Sequence, residues 1–242
     1  MQELHLTQEW DKVYPKSDQV DHKKVTFTNH FGITLAADQY TPKNYTGKLP
    51  TLAVAGPFGA VKEQSSGLYA QTMDEKGYLT IAFDPSFTGE SGGNVRDVFL
   101  LDINTEDFQA AVDYLINLDK VRIIGICGWG GISLNATAND PRIKATAAIT
   151  MYDMPRVGAW GYFDKGTADE RYQNKKQIAE QRTKEYGTGK FAKAGSCFEY
   201  PARMINQTTL NNTVLTTRPN AATTNDQLTL TKVGYYKVCL IG

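Results

Sequence analysis

The residues best suited to chemistry lie in Ile123–Gly131 (IIGICGWGG), where an apolar, strand-like stretch meets four glycines, one cysteine and one tryptophan. Three mechanisms use glycines at a strand-to-helix turn. A phosphate loop of the form GxxxxGK[ST] finds Gly125 and Gly130 correctly spaced, but Gly131 stands where the lysine must be. A dinucleotide fingerprint is approached by Gly128-Trp129-Gly130-Gly131-Ile132-Ser133. That turn follows about the fifth strand, whereas the fingerprint normally follows the first. The third mechanism is G-x-[SC]-x-G, in which a strained bend lifts a nucleophile above a sheet. Position in the chain favours the third.

Two counts locate the nucleophile. Forward from Gly125 the slot is Cys127, with Trp129 where the second glycine belongs; back from Gly130-Gly131 it is Gly128, which has no side chain. Cys127 is the nucleophilic side chain of the turn, and a helix N-terminus there would favour its thiolate. Its competing role is that of a small buried residue closing a core strand.

Such a turn must be held by a sheet. Strand-length apolar runs occur at Val25–Asn29, Ile33–Tyr40, Leu52–Ala55, Leu79–Asp84, Arg122–Cys127 and Ile143–Met151. Helical spacing fills Glu63–Lys76, stopped by Gly77, then Asn104–Leu118, opened by an NTED cap, and Gly130–Ala138. Two hairpin-like strands followed by alternating helices and strands predict an α/β fold: a mostly parallel sheet with helices on both faces and an N-terminal antiparallel hairpin. Residues 1–162 form that core. Residues 163–205 contain the charged Thr167–Tyr186 stretch, read as an exposed helix or cap, and 206–242 form a Thr/Asn-rich tail.

Composition narrows the functions. Twenty-six basic and 26 acidic residues cancel, leaving no long-range field for nucleic acid or anionic lipid. Cys127, Cys197 and Cys239 are too few and too scattered for a disulfide framework or a zinc site. The charged start MQELHLTQEWDK does not read as a signal peptide, and no apolar run is long enough to span a membrane. The expectation is a cytoplasmic protein with a small-molecule substrate or ligand, no cofactor and no metal.

The segments Gly56–Met73 (GPFGAVKEQSSGLYAQTM), Ala82–Gly93 (AFDPSFTGESGG), Asn104–Leu115 (NTEDFQAAVDYL) and Gly125–Gly131, followed by Thr150–Met154 (TMYDM), resemble the α/β-hydrolase superfamily. More narrowly, they are similar to bacterial α/β-hydrolases related to dienelactone hydrolases, from about Val25 to about Tyr162. The D-x-x-G-x-G-x-S turn of that group corresponds to Asp84–Ser91, with Phe87 replacing the first glycine, and its oxyanion loop to Gly56–Gly59. The resemblance implies hydrolysis of an ester, lactone or related acyl bond by a nucleophile, a general base and an acid. It points to Cys127 and Asp153 as catalytic, and to Gly56, Phe58, Gly128 and Trp129 as oxyanion or pocket residues; Asp153 has helix capping as its alternative.

The base is where this sequence departs from the pattern. The superfamily carries its histidine after the last strand, but His5, His22 and His30 all precede the turn and read as surface or turn histidines. The change of composition near Ser196 suggests either a frameshift or truncation, with the last strands missing or replaced, or a divergent protein without catalysis. Exposed strand edges would then favour self-association. A catalytic hydrolase, a non-catalytic binder on a degenerate hydrolase fold, and, third, a dinucleotide-binding oxidoreductase are the readings to separate.

Overall fold

The six apolar runs become six strands in a computed structural model, which describes residues 3–192 apart from 13, 44, 46, 95 and 116–119. β1 (Val20–Thr28) and β2 (Thr34–Pro42) form an antiparallel hairpin, in register from Val20 opposite Pro42 to Thr28 opposite Thr34. Asn29 makes the turn, its side-chain carbonyl accepting the Phe31 and Ile33 N–H groups at 3.1 and 3.0 Å. β3 (Thr51–Ala55), β4 (Leu79–Phe83), β5 (Val121–Ile126) and β6 (Ile143–Ile149) complete the order β1-β2-β4-β3-β5-β6. β2 and β4 are antiparallel, and the β4-β3-β5-β6 part is parallel.

β3 and β4 are buried throughout, as strands covered on both faces must be. Alternate side chains feed two cores. Leu52, Val54, Ala82, Ile124 and Ile126 pack on one face with Ala70 of α1 (Ser65–Asp74). Ala53, Ala55, Ile81, Phe83 and Ile123 pack on the other with Phe108, Val112 and Leu115 of α2 (Leu101–Leu115) and Ile132 and Ala136 of α3 (Gly128–Asn139). The mixed, mostly parallel sheet with helices on both faces is the expected architecture.

Two local expectations change. α2 begins at Leu101, three residues before the NTED cap; Asn104 still meets an open amide, but it is that of Leu100, at 2.9 Å. A helix the periodicity did not reveal, α4 (Met154–Trp160), follows β6. Its seven residues are too few to display a face, though an aspartate ahead of a proline was a usable start signal. The charged stretch becomes α5 (Ala168–Thr188), opened by a capping box between Thr167 and Glu170 and without a buried residue. Among the described residues no helix is long and apolar enough to cross a membrane. The Thr/Asn-rich tail and the expectation of missing or replaced C-terminal strands lie outside the described residues.

Candidate active site

β5 ends at Ile126 and α3 begins at Gly128, so Cys127 alone turns the chain. It does so at φ 60°, ψ −127°, a conformation that strains any residue with a Cβ by about 1–3 kcal/mol. Both of its backbone polar groups are held: its N–H donates to Ile149 O at 2.8 Å, and its carbonyl accepts from Gly130 N at 2.9 Å. Of the two counts from the glycine spacing, the strained bend therefore falls on Cys127, which is half-buried, and Gly128 is the first helical residue.

The surrounding glycines answer to crowding. The segment leaving β6 crosses the first turn of α3, so a side chain at Gly128 would run into the Met154 thioether and one at Gly130 into Met151. At Gly131 the Tyr152 carbonyl oxygen lies 2.8 Å from where a Cβ would sit. Across the bend, Gly56 adopts φ 105°, and a Cβ there would lie 2.9 Å from Cβ of Trp129.

The loop from Gly56 to Gln64 lies over this turn. Phe58 Cβ is 3.4 Å from the place a Gly128 side chain would start. As the first residue of α3, Gly128 has an N–H with no helical acceptor, and Phe58 N–H makes no hydrogen bond among the described residues. Trp129 is buried and packs edge-on or tilted against Phe99 and Phe108, at centroid distances of 6.4 and 6.2 Å. Beside them lies a small pocket lined by Phe58, Gly59, Pro85, Val98, Phe99 and Trp129, among others.

Asp153 lies in the crossing segment, exposed to solvent. Its carboxylate accepts Arg156 N–H at 2.9 Å and caps α4. His5 and His30 are exposed as expected, His30 lying 3.2 Å from Glu106. His22 is a correction. Its side chain is 2% exposed, bonds Asp38 at 2.8 Å and packs against Trp10 and Tyr40. The inward face of β1, invisible until the hairpin register is known, buries it. β1 is separated from β5 by four strand spacings, roughly 19 Å, so His22 does not serve Cys127.

A second constellation escaped the sequence reading. Lys62 Nζ meets Glu63 at 2.6 Å, Glu90 at 2.6 Å and Asp84 at 3.0 Å. Lys24 Nζ meets Asp11 at 2.7 Å, Glu90 at 2.9 Å and Glu63 at 3.5 Å; Lys12 joins Asp11 at 2.9 Å to Asp38 at 3.2 Å. Burial opposes the charge on Lys62, but Asp84 and Glu63 outweigh it and keep the ammonium protonated. Burial likewise works against ionised Asp11, yet hydrogen bonds from Lys24 and Lys12 hold its carboxyl at about 2. Oxygens of Asp11, Glu63 and Glu90 come within 4.8 Å of one another, close enough for one cation, but Lys24 Nζ already stands against all three. One signal was available: Lys24 and Asp38, charged and mid-strand, are directly opposite in the hairpin.

The cluster connects to the loops of the site. Asp84 accepts the N–H of Lys62 at 2.7 Å and that of Glu90 at 2.8 Å, tying the Gly56–Gln64 loop to the Asp84–Ser91 turn. Asp107 of α2 holds the same turn through Ser86 N–H and Oγ, at 2.8 and 2.7 Å, and burial pushes its carboxyl up. Asp74, at the end of α1, contrasts with all of these. It is buried with neither oxygen hydrogen-bonded, and burial, then Glu75 and Asp21, push its carboxyl up to about 8.

A strained strand-to-helix bend in a mostly parallel sheet, faced by open N–H groups, defines an α/β-hydrolase fold. Within that class the chain belongs to the S15 family: the sequence model described as X-Pro dipeptidyl-peptidase (S15 family) matches residues 32–170. It is similar to the uncharacterized protein PA2218 of Pseudomonas aeruginosa, 57% identical over 193 residues that cover 77% of this chain and 52% of that protein. The crystal structure of PA2218 superposes with a TM-score of 0.82 at 51% identity, covering 87% of this chain and 67% of that one. The uncharacterized protein YcjY of Escherichia coli is 34% identical over 71% of this chain and 59% of its own length. The α/β hydrolase GrgF from Penicillium sp. shares the fold alone, with a TM-score of 0.61 and 21% identity over 72% of this chain and 58% of that one. The chain thus spans between half and three fifths of the length of the curated relatives PA2218 and YcjY.

Proposed function

We propose that this chain is an acyl-bond enzyme in which Cys127 is the nucleophile. What carries the reading is the strained backbone of Cys127 at the end of β5, a conformation kept at a cost of about 1–3 kcal/mol where function uses it. The Cys127 sulfur attacks the carbonyl carbon of an ester or lactone, and its proton passes to water. The new oxyanion faces the N–H groups of Gly128 and Phe58. The C–O bond then breaks, the alkoxide leaves and takes a proton from water, and a thioester remains on Cys127. Gly56 keeps the loop against the bend, Trp129 walls the pocket, and Asp153 is the acid that would orient a base.

Hydrolysis of the thioester needs that base, and this sequence has no histidine after His30. A missing general base slows the step by on the order of 10²–10⁴. The expected behaviour is therefore acylation without fast turnover. Substrates of the ester or dienelactone type, in a cytoplasmic setting and without cofactor, nucleic acid or membrane, complete the proposal.

p-Nitrophenyl acetate tests the reading, because its leaving group departs without a proton. We expect a burst near one equivalent of p-nitrophenolate, an acetyl mass increment on the peptide holding Cys127, and loss of both in Cys127→Ala. If no increment forms while iodoacetamide alkylates Cys127, the nucleophile reading is overturned. The second reading, a ligand-binding protein on a hydrolase fold, is favoured by the lack of a histidine after His30 and would then stand.

A further inference from the structure

The loop that carries Phe58 is tied to the rest of the fold through a buried carboxylate. Its bonds from Ala60 N–H and Gln64 N–H close within the loop, onto Pro57 O and Val61 O at 3.0 Å each. Lys62 carries it outward, donating from its N–H to Asp84 Oδ1 at 2.7 Å and from its Nζ to Asp84 Oδ2 at 3.0 Å. Asp84 is the first residue beyond β4 and is fully buried. Its Oδ2 also accepts Glu90 N–H at 2.8 Å, so one carboxylate holds two neighbouring loops.

The turn on the far side of that carboxylate is itself clamped. Ser91 Oγ donates to Asp84 O at 2.6 Å and accepts Ala36 N–H of β2 at 2.8 Å, while Gly92 N–H donates to Thr34 O at 2.8 Å. α2 grips the same turn through Asp107 and Ser86. Asp84 is boxed in as well: a Cβ on Gly89 would lie 2.2 Å from its Oδ2. It therefore passes the position of a fixed turn to the loop. To act together, Phe58 N–H and Gly128 N–H must meet one oxygen atom, and misplacing such a group by about 1 Å costs about a hundredfold in rate.

We propose that Asp84 is a positioning residue for acyl transfer: its carboxylate, bonded to Lys62 and Glu90, sets where the Gly56–Gln64 loop presents Phe58 N–H to the oxyanion. This rests on reading Cys127 as the nucleophile, and the tests tell the two apart. An amide at position 84 has one oxygen, so it keeps one loop and turns a donor toward the other. In the full chain, Asp84→Asn should slow acylation of Cys127 by p-nitrophenyl acetate about tenfold to a hundredfold, in the maximal rate rather than in the half-saturating ester concentration. Alkylation by iodoacetamide should keep its rate, because displacement at a saturated carbon forms no oxyanion. Gly89→Ala, which drives a methyl into the same carboxylate, should reproduce the loss. Leu115→Val, a core truncation at the last residue of α2, controls for lost stability and should acylate at the parent rate. Equal acylation by Asp84→Asn and the parent, or an equal loss in Leu115→Val, would overturn the inference.

If the parent itself is not acylated, the nucleophile reading has failed, and hydrogen exchange still decides the positioning. The peptide holding residues 56–64 should exchange faster in Asp84→Asn, with that holding residues 121–135 unchanged. Equal exchange of the loop peptide in variant and parent would sink the inference. Thermal melting checks that Asp84→Asn folds; if it does not, Gly89→Ala carries the comparison.

Discussion

The bend at Cys127 and the ion cluster around Lys62 lie on neighbouring loops but are stabilised in opposite ways. At the bend the demand falls on the backbone: one strained residue, with glycines wherever another segment passes close. At the cluster the demand falls on side chains: three lysines, Lys12, Lys24 and Lys62, are tied by ion pairs to five carboxyl groups, those of Asp11, Asp38, Glu63, Asp84 and Glu90. A backbone demand is local in sequence and leaves a spacing. A charge demand is met from segments far apart and leaves none.

Lys62→Met should break the comparison most severely. It strands Glu63, Asp84 and Glu90 with one ammonium fewer, and removing one partner of a buried ion pair costs about 3–5 kcal/mol. Urea denaturation measures the loss. Adding Asp84→Asn should recover part of it, and a double variant no more stable than the single one would mean that Asp84 is not the group left uncompensated.

Asp74 sharpens the contrast between paired and unpaired buried charge. Its carboxyl is raised from 3.8 to about 8 in the fold, so the native state holds a proton that the unfolded chain has released. The associated stability is fully present below pH 3.8 and is lost progressively as pH rises to about 8. Asp74→Asn, which cannot ionise, should flatten that decline and be more stable than the parent at pH 8. Asp11 behaves oppositely: held at about 2, it contributes stability above its ordinary 3.8 that disappears toward pH 2. Melting temperatures across pH 2–9 should therefore separate an acid limb belonging to the cluster from an alkaline limb belonging to Asp74.

Cys127→Gly is the mildest perturbation. Glycine accepts φ 60° without strain, so the variant should match or exceed the parent in stability by up to about 1 kcal/mol, while acylation disappears. A clear loss of stability would mean that the thiol is chiefly a packing group.

The same contrast explains what could be read from sequence. Six strand runs and the helices α1, α2, α3 and α5 were legible because periodicity and stop signals are local. Cys127 was legible because the bend forces glycines around it, although spacing alone left Cys127 and Gly128 in competition. His22 was misjudged because its burial depends on which face of β1 turns inward, and the Lys62 cluster was missed because its members come from segments that only the folded sheet brings together. α4 was too short to show a period.

The turn at Phe87 has an evolutionary consequence. Phe87 occupies φ 70°, where glycine would be at ease, and its buried ring fills the space that a Cβ on Gly93 would need. The two positions therefore share one side chain between them. Position 93 is thus held to glycine twice, by the ring of residue 87 and by its own φ of 112°, and a smaller residue at 87 would lift only the first constraint. Drift at 87 is therefore free to proceed without releasing 93.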